Sequence, residues 1–94
     1  MATYDNGMTV VGVTATKVCT VDAESSGVLI TNNGAAAVFF GGPNVAISGA
    51  NQGISVAAGA TQLFPSIGGV THDLYGIIAA ATANITFMMP QAGS

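Results

Sequence analysis

The chain is cut at short intervals by residues that turn a backbone. Glu24-Ser-Ser-Gly27, Asn32-Asn-Gly34, Gly41-Gly-Pro-Asn44, Ser48-Gly-Ala-Asn-Gln-Gly53, Ala57-Ala-Gly59 and Ser66-Ile-Gly-Gly69 all carry the Gly, Asn or Pro that permit a positive φ or fix φ. The pieces between them are rich in Val, Ile and Thr, which together supply 27 of the 94 residues. No stretch of eleven residues keeps the i, i+3, i+4, i+7 spacing of an amphipathic helix. The reading is therefore all-β. Strands are expected at Thr9 to Val13, Thr16 to Val21, Gly27 to Asn32, Ala36 to Phe40, Gly53 to Ala57, Thr61 to Phe64, Asp73 to Ala79 and Asn84 to Met88.

Parallel pairing needs crossover helices, for which there is no room, so about eight short strands predict a small antiparallel β-sandwich, jelly-roll-like in its winding. Residues 1–8 carry no turn or core signal and are expected to form an extended N-terminal arm that orders against a neighbour, followed by one domain over 9–94. Asn33-Gly34 has the chemistry of a two-residue type I′ hairpin turn, which requires φ > 0 at both positions. Ile77 to Ala83 has some helical propensity, but it is short, uncapped and runs into the alternating Asn84-Ile-Thr-Phe-Met88, so it reads as strand, turn, strand. Val28-Leu29-Ile30 and Val38-Phe39-Phe40 are apolar on both faces of their strands. One face of a sandwich strand is hidden in its own core, so the second calls for cover from another chain.

Only 5% of the residues are charged, against about 25% in ordinary soluble domains. With the mean hydropathy at +0.62, this excludes an extended disordered chain. The formal net charge is −3 and Lys17 is the only Lys or Arg, so no basic patch exists to neutralise phosphates or anionic lipid, and neither nucleic acid nor a membrane is an expected partner. No apolar run approaches a transmembrane helix, and the start MATYDNG lacks the basic and apolar regions of a signal peptide. Synthesis in a cytoplasm is expected. The single cysteine, Cys19, cannot form an internal disulfide and reads as a small core hydrophobe.

Catalysis needs titratable groups within hydrogen-bond reach, and the chain has one His, one Cys, four carboxylates and one Lys. His72 and Asp73 are adjacent and point to opposite faces of a strand, which breaks any Ser-His-Asp geometry. Three or four zinc ligands cannot be assembled from His72 and Cys19. Asp22 and Glu24 share a strand face but read as loop solubility. Gly41-Gly-Pro lacks the Lys and helix of a phosphate-binding loop. The sequon Asn84-Ile-Thr86 falls inside an expected strand. Tyr4, Tyr75, Phe39, Phe40, Phe64 and Phe87 could stack on a glycan, yet Trp is absent and subunit contact fits better. The expectation is a non-enzymatic protein without catalytic residues, metal, cofactor or small-molecule substrate.

The segment GVLITNNGAAAVFFGGPNVAISGANQGISVAAGATQLFP, followed by DLYGIIAAATANITFMM, resembles the small head decoration or cement proteins of tailed bacteriophages and related virion modules. A strand ending in N-N-G, one ending in a G-G turn, a loop into I-S-V-A-A-G and a late L-Y-G-I-I-A strand carry the likeness. It spans Gly27 to Met88, about two thirds of the chain. Proteins of this kind are β-rich, bind the outside of a capsid as symmetric clusters, typically trimers, and hold capsomers together. The resemblance thus implies a virion structural protein made in a host cytoplasm and placed on the capsid surface, with a homotrimer and the major capsid protein of a phage shell as partners. Its expected contacts are Met1, Ala2, Thr3, Tyr4, Met8, Phe39, Phe40 and Tyr75. The competing expectation is a tail or fibre module that binds a host receptor or glycan.

Overall fold

A computed structural model describes residues 4–21, 27–65 and 71–90. Alternating β-branched segments between turn residues form β1 (Tyr4–Val11), β2 (Thr16–Val21), β3 (Gly27–Asn32), β4 (Val38–Gly41), β5 (Ile54–Val56), β6 (Thr61–Pro65), β7 (His72–Ile78) and β8 (Ala83–Pro90). β1 pairs with β8, β2 with β7, β3 with β6 and β4 with β5, all antiparallel. The first four strands thus run back along the last four as one long ribbon. Two further pairings, β3 with β8 and β4 with β7, roll that ribbon into two four-stranded sheets. Their strand orders are β1-β8-β3-β6, here sheet A, and β2-β7-β4-β5, here sheet B. This is the winding of a jelly roll.

Period-two alternation sends one set of side chains from each sheet into a shared core. Val11, Val28, Ile30 and Ile85 come from sheet A, and Val21, Val38, Phe40 and Val56 from sheet B, all buried. Cys19 is buried among them, as expected of a small hydrophobe. A bulge between Lys17 and Cys19 turns the consecutive Val18 and Cys19 inward, and the Thr9 hydroxyl donates to the Val18 carbonyl at 3.1 Å, which links the sheets. Phe40 fits because β7 offers Gly76 opposite it. A Cβ there would lie 3.1 Å from the Phe40 ring and 3.2 Å from Val11.

Every connection between described strands except β4–β5 changes sheet, and this overturns the hairpin expected at Asn33-Gly34. β3 and β4 lie in different sheets, and neither Asn33 nor Gly34 has a positive φ. The residue that governs the corner is Asn32, fully buried at the end of β3. Its amide donates to the carbonyls of Ala36 (2.8 Å) and Val56 (3.0 Å), and its oxygen accepts from the Gly34 N–H at 2.9 Å. Its backbone also pairs with Gly59 and Ala60. The polar side chain thus replaces the hairpin ladder where the chain changes sheets. Between β7 and β8, Ala81 takes the only positive φ of a non-glycine among the described residues, 64°; the strand, turn, strand reading of that stretch holds.

The strand readings agree with the observed elements to within a few residues, apart from the first. Tyr4 to Met8, assigned to an arm, pair in register with Pro90 to Thr86 and form the first part of β1. Their signal is weak because the inward position Gly7, opposite Phe87, carries no side chain; a Cβ there would lie 2.9 Å from the Phe87 ring. Residues 1–3 of the expected arm lie outside the described residues.

Candidate functional site

Three surfaces remain once the core is assigned: the outer face of each sheet and the end of the sandwich where β4 leads into β5. On sheet A, the alternation places Asn6, Met88, Leu29 and Leu63 in one row across all four strands. The next row is Met8, Thr86, Thr31 and Thr61, and beyond it stand Val10 and Asn84. None of these residues is charged. Met8, Val10, Leu29, Leu63 and Met88 are five of the eight large hydrophobics exposed among the described residues, with Met8 at 59% and Leu63 at 52%. The polar row is tied within itself: the Thr31 and Thr61 hydroxyls lie 2.8 Å apart, and the Asn33 amide donates to the Thr86 hydroxyl at 2.7 Å. Each of these bonds supplies a protein partner for a polar group of the face, which lowers the cost of covering it.

The outer face of sheet B has a different character. Lys17 and Thr20 of β2 stand beside Tyr75 and Asp73 of β7. The Lys17 ammonium is 3.5 Å from the Asp73 carboxylate, and the Thr20 hydroxyl donates to the same oxygen at 2.8 Å. The Thr20 bond, more than the nearby Lys17, holds the Asp73 carboxyl below the usual aspartate range, against a smaller opposing effect of desolvation. Both ends of the ion pair are about half exposed, so its contribution to stability is small. Phe39, Tyr75 and Ile77 share this face but are half-buried, with Phe39 opposite Ile77 and Tyr75 opposite Gly41.

The third feature is a cavity of about 670 Å³ between the sheets, where β2, β4 and β6 end and β5 and β7 begin. Val21, Phe40, Ile54, Phe64 and Leu74 line it, with the Phe40 and Phe64 rings tilted at 54° and 5.5 Å between centroids. Among the described residues, His72 is the one inward-register polar side chain of its wall.

The expected contact residues are scattered over these surfaces. Met8 stands exposed on sheet A, whereas Phe39 and Tyr75 are half-buried on the outer side of sheet B. Tyr4 lies in β1, and Met1, Ala2 and Thr3 fall outside the described residues. Phe40 does not belong in the set: at 1% exposure it is a core residue, because alternation from Phe39 turns it inward. Leu29, Leu63, Met88 and Val10 were missed. For Leu29 and Met88 the signal is an apolar residue between two apolar neighbours, Val28-Leu29-Ile30 and Phe87-Met88-Met89, whereas Leu63 follows Gln62 and Val10 follows Thr9.

The chemical inventory stays dispersed. Among the described residues no three His, Cys, Asp or Glu side chains come together as a metal site would need, and no helix is long and apolar enough to cross a membrane. His72 and Asp73 occupy opposite sides of β7, and Asn84 of the sequon lies exposed within β8. Asp22 and Glu24 lie outside the described residues. No protein-family model, curated protein or solved structure matches the chain.

Proposed function

We propose that this protein is a virion structural component, a decoration or cement protein that binds the outer surface of a phage head as an oligomer, a trimer by preference, and stabilises contacts between capsomers. The observation that carries this reading is the uncharged outer face of sheet A, where Met88, Leu29 and Leu63 form a continuous apolar row flanked by Met8 and Val10. Large apolar side chains gathered on one face of a small domain mark a surface that works covered. The sequence resemblance over Gly27 to Met88 supplies the identity of the assembly, and the jelly-roll winding suits a module used as a building block. In this reading copies meet through sheet A, while loops and the N-terminal residues lie toward the major capsid protein. No chemistry is performed. Many copies acting together convert modest contacts into lasting attachment through raised local concentration.

The test is copy number in purified particles together with rebinding to stripped shells. Hundreds of copies, near a multiple of the shell's symmetry, support the reading; absence from the head and no affinity for stripped shells refute it. A second reading, a tail or fibre module that binds a host receptor or glycan, is favoured by Phe39 and Tyr75 beside Thr20, Lys17 and Asp73 on sheet B, where apolar rings adjoin polar groups. Labelled protein confined to the tail or vertices would select it.

A further inference from the structure

We infer that the cavity at the β4–β5 end of the sandwich is a binding site for a small, uncharged, largely hydrocarbon molecule, held without being turned over. Its volume of about 670 Å³ lies within the range of roughly 300–1,000 Å³ in which small-molecule sites fall. The cavity meets the core directly. Val21 and Phe40 have almost no exposed surface of their own and Leu74 is buried, while Phe64 and Ile54 continue the wall outward. An apolar guest there would cover the exposed Ile54 side chain and the half-buried Phe64 ring.

The charge pattern selects the guest. No Lys or Arg lines the cavity, so a phosphate or carboxylate would enter without a cationic partner. Among the described residues, the one charged residue of its wall is Asp73, whose carboxylate stands on the outer face of sheet B with Thr20 and Lys17 rather than toward the cavity. That carboxylate is already engaged with those two partners and so makes a poor counter-ion for a cationic guest. A sugar would bring more hydroxyl groups than His72 and the rim can satisfy, and each left unpaired in an apolar site is costly. The site therefore discriminates for neutral hydrocarbon, aromatic rings included, since Phe40 and Phe64 present tilted faces at 5.5 Å. The inference does not rest on the virion reading.

The experiment titrates the full chain with N-phenyl-1-naphthylamine, a neutral probe, and with its anionic sulfonate analogue, 8-anilinonaphthalene-1-sulfonate, while amide shifts are followed by NMR. Saturable one-to-one binding of the neutral probe, at least about tenfold tighter than the anionic one, is expected, with shifts centred on Gly41, Gly42, Leu74 and Tyr75. Ile54→Asp, at a position already 59% exposed, should retain the fold and weaken the probe at least tenfold. Shifts centred on Leu29, Thr86 and Met88 would overturn the inference by placing the probe on sheet A. So would equal affinity for the two probes, an absence of saturable binding, or shifts of Gly41 and Leu74 that track protein concentration without any probe, which would mean that a second copy fills the cavity. The mapping on the unaltered protein decides the matter even if Ile54→Asp fails to fold.

Discussion

The two sheets are built from the same kinds of residue and share one core, yet their outer faces differ. Sheet B keeps the Lys17–Asp73 pair in the open and its larger apolar groups, Phe39, Tyr75 and Ile77, half-buried. Sheet A has no charge at its described outward positions and leaves Met8, Val10, Leu29, Leu63 and Met88 exposed. Strand chemistry alone does not require this, because Thr or Lys would serve those outward positions equally well. The proposed assembly through sheet A rests on this contrast between the two outer faces. Inner and outer residues of a single strand sharpen the same point, as Phe39 and Phe40 are neighbours with opposite surroundings.

That neighbouring pair provides the largest expected effect. Phe40→Asp buries an unpaired carboxylate in the core and should cost at least about 4 kcal/mol, enough to unfold a domain of this size, whereas Phe39→Asp should cost about 1 kcal/mol. Urea unfolding measures both, and equal losses would remove the distinction between the faces of β4. Next comes assembly. Leu63→Asp, on an edge strand and half exposed, should weaken self-association by about 30-fold or more with little change in unfolding midpoint, while Tyr75→Ser on sheet B should change it by less than about threefold. Light scattering across a dilution series reads both, and the reverse order would move the contact to sheet B. Smaller still is the response to salt. Contacts made from uncharged groups should hold within about threefold between about 0.1 M and about 1 M salt, and a steep loss would indicate ionic contacts instead.

The smallest effect concerns acid. A carboxyl group whose folded-state pKa is depressed contributes stability above its unfolded value, about 3.9, and loses that contribution as the pH falls through the lower folded-state value. Thr20→Ala removes the main cause of the depression at Asp73, so the acid limb of a stability profile below about pH 4 should become slightly shallower. An unchanged limb would show that the Thr20 bond does not influence Asp73 in solution.

Strand positions were legible because turn residues and alternation are local signals, and Thr16–Val21 and Gly27–Asn32 were bounded correctly from them. The sandwich followed from strand number and chain length. Asn32-Asn-Gly34 misled because the motif was read by its turn chemistry, whereas the decisive bond runs from Asn32 to Val56, a contact 24 residues away that no local pattern reports. Phe40 was misassigned for a related reason: two adjacent phenylalanines show that both faces of a strand are apolar, but not which ring faces the core. The apolar row of sheet A was half legible. Leu29 and Met88 each sit between apolar neighbours, but their alignment with Leu63 depends on a register that only the folded ribbon sets.

Methionine footprinting tests the central claim most directly, since the chain carries its own reporters on the face in question. Met8 and Met88 are exposed on sheet A, while Met89, beside Met88 in β8, is buried at 5%. Mild oxidation of the dilute protein should modify Met8 and Met88 and spare Met89; at assembling concentrations, both exposed residues should become protected. Continued oxidation of Met8 and Met88 in the assembled protein, or a protein that stays monomeric at every concentration, would contradict the account.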